Sequence, residues 1–206
     1  MQYNIRMSLK KSILLSFVLA LAPFLSYAQT TLDGPKNDIK VTILSLGSGS
    51  SRFTYERALT DRNSAELTLG VIGWGFDIMN DADPSGLLVK AAYKWNLIPM
   101  ERANSTLAGF YVKPEFVYGN YNYTLQPDDD VKYATKGDDG GHTSQWALMA
   151  ECGYQLVLGW FDFDIYTGLG PSFGTGNADN YFHSFMLYPV ESHVAFTAGF
   201  RVGVAF

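Results

Sequence analysis

From residue 65 to residue 206 the chain repeatedly alternates apolar and polar positions. Leu67, Leu69 and Val71 interleave with Glu66, Thr68 and Gly70, and Val89, Ala91, Tyr93 and Trp95 interleave with Lys90, Ala92, Lys94 and Asn96. Further on, Trp146, Leu148, Ala150, Cys152, Tyr154 and Leu156 interleave with Ala147, Met149, Glu151, Gly153 and Gln155. Phe163, Ile165 and Leu169 interleave with Asp164, Tyr166, Gly168 and Gly170. A period of two is that of an extended strand, which sends successive side chains to opposite faces. The pattern predicts eight strands, over 38–47, 51–59, 65–76, 86–97, 106–121, 145–157, 160–171 and 193–206. The first two are less regular: Ile39, Val41 and Ile43 keep one face, but Leu44 and Leu46 intrude on the other. Pro114 falls inside the fifth, where it has no N–H for a ladder, and a bulge or local break is expected there.

The final strand carries the clearest alternation. Phe196, Ala198, Phe200, Val202, Val204 and Phe206 form an apolar face, and Thr197, Gly199, Arg201, Gly203 and Ala205 form a small or polar one. A face that accepts Arg201 is not that of an ordinary dry core. At the other end of the chain, Arg6, Lys10 and Lys11 precede the apolar run Ser12–Leu25, and Ser26-Tyr27-Ala28 has a small-x-small form. Residues 1–28 are therefore predicted to be a secretory signal peptide cleaved before Gln29. The run of 14 residues from Ser12 to Leu25 falls short of the roughly 20 that span a bilayer as a helix. No longer apolar run follows, so any span in the remaining chain must be built of strands closed into a barrel.

The connections point the same way. Thr60–Ser64, Ile98–Ser105 and Leu158-Gly159 are short, whereas Asp77–Ser85, Asn122–Ser144 and Ser172–Ser192 are longer. With a periplasmic N-terminus, the first set forms periplasmic turns and the second extracellular loops. The short connection around Ser48-Gly49-Ser50 breaks this trend. The expected organisation is a signal peptide over 1–28, a short tether over 29–37 and one domain over 38–206. That domain is all-β, a closed antiparallel eight-stranded transmembrane β-barrel.

Composition narrows the setting. Residues 29–206 keep 12 of the 15 Lys and Arg and all 20 Asp and Glu, a formal charge of −8. Such a surface argues against nucleic acid and against attachment to anionic lipid by charge alone. Trp, Tyr and Phe make up 15% of the chain, a bias suited to a boundary between apolar and wet surroundings. Cys152 is the single cysteine, so no internal disulfide forms, and its role is that of a small apolar side chain.

Several strings carry a resemblance: Asn37-Asp-Ile-Lys-Val-Thr-Ile-Leu-Ser45, Tyr55-Glu-Arg57, Gly109-Phe-Tyr-Val-Lys-Pro-Glu115, Gly153-Tyr-Gln155 and Thr167-Gly-Leu-Gly-Pro171. In this order the chain resembles a family of small eight-stranded outer-membrane β-barrels of Gram-negative bacteria, of unknown function. Lys94-Trp95 and Lys113 depart from that family's usual residues. The architecture is also similar to that of the OmpA-type barrel, with no periplasmic domain expected to follow. The strand ending on Phe206, with Phe200, Val202 and Val204 on one face, resembles the signal read by the barrel-assembly machinery. The resemblance implies an outer-membrane location, contact with outer-membrane lipid and lipopolysaccharide, and no established reaction. A monomer is expected.

The polar phases place Lys40, Glu56, Lys90, Lys94, Lys113, Glu115, Glu151, Asp164 and Arg201 toward the lumen, five basic and four acidic. An eight-stranded barrel is just wide enough to be filled by side chains. A selective conduit calls for rings of one sign, so mixed signs predict a lumen plugged by paired charges, with Glu56 bonded to Arg201 or Lys40. The apolar phases should form a lipid-facing belt, with Trp95, Trp160 and Phe206 near its periplasmic rim. His183, Ser184 and Glu191 suggest the alternative of a lipid A-modifying enzyme. Those enzymes use His-x-Ser, however, and adjacent residues in a strand point apart. No catalytic residue is therefore assigned. Asp128-Asp129-Asp130 and Asp138-Asp139 lack calcium-loop spacing, so neither a metal nor a cofactor is implied. They form a solvated acidic loop, with loose cation bridging to lipopolysaccharide as the alternative. Tyr181–Tyr188 is aromatic-rich and reads as a strand extension, a lid or a contact surface. A soluble lipocalin-like barrel is a third reading, in which the apolar phase would face inward.

Overall fold

A computed structural model describes residues 34–47, 49–76, 85–100, 105–123, 141–175, 188–190 and 194–206. The strands are β1 (Asn37–Thr42), β2 (Ser50–Ala58), β3 (Asn63–Ile72), β4 (Ser85–Pro99), β5 (Gly109–Tyr123), β6 (Gly141–Leu158), β7 (Phe161–Thr175), β8 (Tyr188–Val190) and β9 (Val194–Ala205). One helical turn, α1 (Ile43–Gly47), separates β1 from β2. Each strand from β1 to β6 pairs antiparallel with the next, β7 pairs with β9, and β9 returns to β1. Eight strands thus close an all-β antiparallel barrel with no free edge along the closing pair, which runs from Asp38 opposite Ala205 to Thr42 opposite Arg201.

The closing seam is also tied by the backbone: Lys36 and Asn37 N–H donate to the Phe206 carbonyl, and Phe206 N–H donates to that of Asn37. The end of the barrel holding this seam, the turn at 59–62 and the turn at 159–160 is called the terminal end below. The opposite end is the far end.

Two local outcomes differ from the sequence pattern, and the break expected at Pro114 is found. The first strand stops at Thr42 and the chain turns through α1, because consecutive Ile43 and Leu44 break the period of two and both side chains point outward. β9 then lacks β1 as a neighbour beyond Arg201, and the three-residue β8 takes that edge further along, with Tyr188 opposite Phe196. Pro114 lies in continuous strand and pairs with Ala150 on β6. Toward β4 the ladder is interrupted between Ala92–Glu115 and Trp95–Val112 but resumes in the same register. The missing proline N–H accounts for a local break without a bulge. The one register shift in this pair lies instead between Asn96 and Ile98.

The two faces separate by chemistry in the sense opposite to an ordinary globular barrel. Leu67, Leu69, Val89, Tyr93, Leu148 and Ile165 are exposed on the outside, Leu69 at 56% and Ile165 at 61%. Val71, Phe163, Val202 and Val204, of the same phase, are half-buried along the outer wall. The intervening residues fill the interior in three layers. Leu107, Ala108, Val157 and Ala205 form an apolar layer at the terminal end, with Ala58 and Met100 packed against it. Residues 105–108 are held there by Asn96, whose amide donates to the Ala108 and Thr106 carbonyls at 2.8 and 3.3 Å. Toward the far end, Ile72, Leu88, Val117, Tyr121, Ala147, Met149 and Ala195 form a second apolar layer. Charged side chains occupy the space between.

Candidate functional site: the buried charge network of the lumen

All nine charges assigned to the lumen by their strand phase are buried inside the barrel. Register explains how strands far apart in sequence meet. Lys40 and Glu56 stand on adjacent strands, and Asp164 on β7 lies directly opposite Arg201 on β9. Long side chains then cross the narrow interior.

Lys40, fully buried, is the hub of the terminal half. Its Nζ lies 2.5 Å from Glu56, 3.2 Å from Asp164, 3.5 Å from Glu66, 3.7 Å from Asp38 and 3.8 Å from Asp162. Of the two cations expected for Glu56, Lys40 supplies the bond. Glu56 also holds Lys94 at 2.5 Å and accepts from the Ser64 hydroxyl at 2.5 Å. Arg201 pairs instead with Glu66 at 3.1 Å and Asp164 at 2.7 Å. Lys113 joins Glu66 at 2.5 Å to Glu115 and Glu151 at 3.1 Å each, and Lys90 holds Glu115 at 2.6 Å.

Neutral groups complete the lattice. The Tyr111 hydroxyl donates to Asp164 at 2.7 Å and accepts from Arg201 at 3.2 Å. Lys94 donates to the Gln155 carbonyl oxygen, and the Gln155 amide donates to Asp38 at 3.0 Å. Lys94 stands 4.6 Å over the Tyr111 ring, and Arg201 stands 4.5 Å over that of Tyr166. Both tyrosines lie flat across a glycine on the neighbouring strand. A Cβ at Gly153 would collide with the Tyr111 hydroxyl oxygen, and one at Gly199 with that of Tyr166. Glycine at these two positions is what lets each ring lie down and reach the charges, as aromatic residues do over strand glycines.

Glu66, Asp38, Asp162, Arg52, Tyr111, Tyr166 and Gln155 are interior residues that the sequence reasoning left out. The signal for the carboxylates was present: Glu66 shares its phase with Thr68, Asp38 with Lys40, and Asp162 with Asp164. The roles of Tyr111 and Tyr166 depend on cross-strand register, which the alternation alone does not give.

The described buried residues comprise seven carboxylates and six cations, of which Arg52 is one. The near balance matters because a buried charge survives only when paired. Bonding is nevertheless uneven. Both Asp162 oxygens and Asp38 Oδ1 lack a hydrogen-bond partner among the described residues. Among the described residues the one cation near Asp162 is Lys40, 3.8 Å away, and a buried acceptor without a bond is costly. Asp162→Asn should therefore leave the thermal midpoint of the detergent-folded barrel unchanged or raise it, by up to about 1 kcal/mol of stability. A clear fall in that midpoint would show that Asp162 supports the network.

Other candidate residues stand apart. Cys152 is a free, half-buried thiol on the outer wall, opposite Val112 and Thr167. Trp95 is exposed opposite Asn63 at the start of β3, and Trp160 stacks on Phe161 with ring centroids 3.8 Å apart. Both lie at the terminal end, as does Phe206. His183, Ser184, Glu191, His193 and the aspartates of 128–130 and 138–139 lie outside the described residues, as do residues 1–33. His142 is described, on the outer face of β6. Among the described residues no group of three or more His, Cys, Asp or Glu side chains is arranged to hold a metal ion. Comparisons with models of known protein families, with curated proteins and with solved structures give no match to this chain.

Proposed function

We propose that this chain is an integral outer-membrane β-barrel with a structural or surface-interaction role, its lumen plugged by paired charges and its terminal end in the periplasm. The observation that carries the reading is the inversion of faces: large apolar side chains line the outside while Lys40, Lys113, Glu66 and Arg201 are buried within. In water such a wall would be a continuous exposed apolar surface, far beyond the patches that isolated proteins leave uncovered. In a bilayer the same wall faces acyl chains. On β6 the outward series runs from Trp146 to Tyr154 through Leu148, Ala150 and Cys152. Eight residues at about 3.3 Å rise span about 26 Å along the strand. A barrel tilt of about 40° reduces that to about 20 Å, close to the apolar band of outer-membrane barrels. Trp146 and Tyr154 are spaced to suit its two interfaces, where aromatic rings are favoured, and Leu156 and Leu158 continue the outward apolar series toward the terminal end.

The lipocalin-like alternative requires an apolar interior open to a ligand. Here the middle layer is ionic, and both apolar layers are packed to 4% exposure or less. Mixed signs likewise disfavour a selective channel. The barrel should resist extraction from its membranes by alkaline carbonate and, once purified, show no steady conductance in planar bilayers. A large open current would contradict the plug, and carbonate extraction would contradict the membrane placement.

The apolar register ending at Phe206 is the proposed assembly signal. Deleting Phe206, or replacing it by Asp, should lower the amount inserted in the outer membrane several-fold while export across the inner membrane continues. Normal insertion of the deleted form would remove that role.

A further inference from the structure

The outer wall carries an unused polar site at the far end of β5 and β6. Outward positions on β5 run Phe116, Tyr118, Asn120, and those on the paired β6 run Leu148, Trp146, Ser144, His142. Each series passes from aliphatic or phenyl, through a ring with a polar edge, to hydrogen-bonding groups. The same order, from chain to headgroup, describes a membrane lipid lying against the wall. Tyr118 stands opposite Trp146, and Trp146 stacks on Phe173 of β7 with centroids 4.4 Å apart and planes 25° apart, a broad aromatic platform. Above it the polar groups are ordered by one another. The Ser144 hydroxyl and the Asn120 amide both donate to the Tyr118 hydroxyl, at 3.0 and 3.4 Å, and His142 Nε2 bonds Asn120 Oδ1 at 3.0 Å.

These bonds fix the side chains but leave capacity unspent. Among the described residues, the Tyr118 hydroxyl accepts twice and donates to nothing, and the second ring nitrogen of His142 has no bond. An exposed phenol and imidazole with a half-buried amide and hydroxyl, beside aromatic rings, suit a sugar, whose C–H face packs on a ring while its hydroxyls accept and donate in the ring plane. Phosphate recognition calls instead for arginine or lysine, and neither stands among these side chains. We propose that Tyr118, Asn120, His142, Ser144 and Trp146 bind the glycosyl headgroup of a lipid in the surrounding leaflet, with its acyl chains along Phe116 and Leu148. The proposal rests on the membrane placement above and adds to it a preferred lipid class.

The test is native mass spectrometry of the detergent-folded full mature chain. Dihexosyl diacylglycerol, phosphatidylethanolamine and phosphatidylglycerol would be offered in equal amounts. The unmodified barrel should retain the glycolipid preferentially. Asn120→Ala with Ser144→Ala should lower that preference roughly tenfold, since two hydrogen-bonding groups are lost. Tyr55→Phe removes an outward hydroxyl bonded to Asn37 at the terminal end and should leave the preference unchanged. Equal retention of the three lipids, or a preference that survives the double substitution, would overturn the site while leaving the membrane placement intact. A barrel that retains no lipid and stays monomeric without detergent would overturn both.

Discussion

Replacing Lys40 by methionine should be the most damaging single change in the lumen. The substitution keeps much of the side-chain length and removes only the charge, so packing loss is a minor part of the effect. What remains is a set of five carboxyl groups, from Asp38, Glu56, Glu66, Asp162 and Asp164, that have lost a shared cation. Glu56 retains Lys94, and Glu66 and Asp164 retain Arg201. Asp38 and Asp162 retain no cation within 4 Å among the described residues. Breaking a buried pair by removing one partner typically costs about 3–5 kcal/mol, and here one ammonium serves several partners. The expected result is a large fall in the thermal midpoint of the detergent-folded barrel. Arg62→Met, at an exposed turn position, should change it by less than about 0.5 kcal/mol. Equal effects from the two substitutions would show that the lumen charges contribute nothing specific.

The second large effect is expected at Lys113, and its diagnostic feature is non-additivity. Lys113 bridges Glu66, Glu115 and Glu151. Glu66 keeps Arg201 and Lys40, and Glu115 keeps Lys90, but Glu151 has no other cation within 4 Å among the described residues. Lys113→Met should therefore cost about 3–5 kcal/mol, much of it from leaving Glu151 buried without its cation. Adding Glu151→Gln to that background should recover stability, with a coupling of about 1–3 kcal/mol across the double-mutant cycle. Simple additivity of the two substitutions, measured by thermal or urea unfolding in detergent, would mean that the pair does not interact.

The same physics explains what the sequence made legible. Alternation is readable wherever one face meets an apolar phase and the other a polar interior, as on β4, β6 and β9. Those segments are strands whose bounds differ from the pattern by a few residues at most. The pattern fails at Ile43 and Leu44, where both apolar residues face outward from a helical turn. A turn of helix obeys a different period, and five residues are too few to display it. Nine of the thirteen described buried charges were assigned to the lumen, because phase alone decides which side of a strand a residue takes, and Asp38, Glu66 and Asp162 share the phase of polar neighbours. The partners of these charges were not legible, because pairing depends on shear around the closed wall. That shear carries Lys40 to Asp164, 124 positions away in sequence, and carries Arg201 to Glu66, 135 positions away. The tyrosines over Gly153 and Gly199 were hidden for the same reason.

The central claim, that the apolar wall faces lipid and the charged phase faces a closed interior, is tested most directly by nitroxide labels on single cysteines. With Cys152 replaced by alanine, labels at Leu69, Leu148 and Ile165 report on the outer wall of the barrel reconstituted in bilayers. Each should relax strongly with oxygen, which concentrates among acyl chains, and weakly with a water-soluble nickel chelate. The account is contradicted if the nickel chelate reaches all three labels as freely as it reaches a label at the exposed turn residue Asp61.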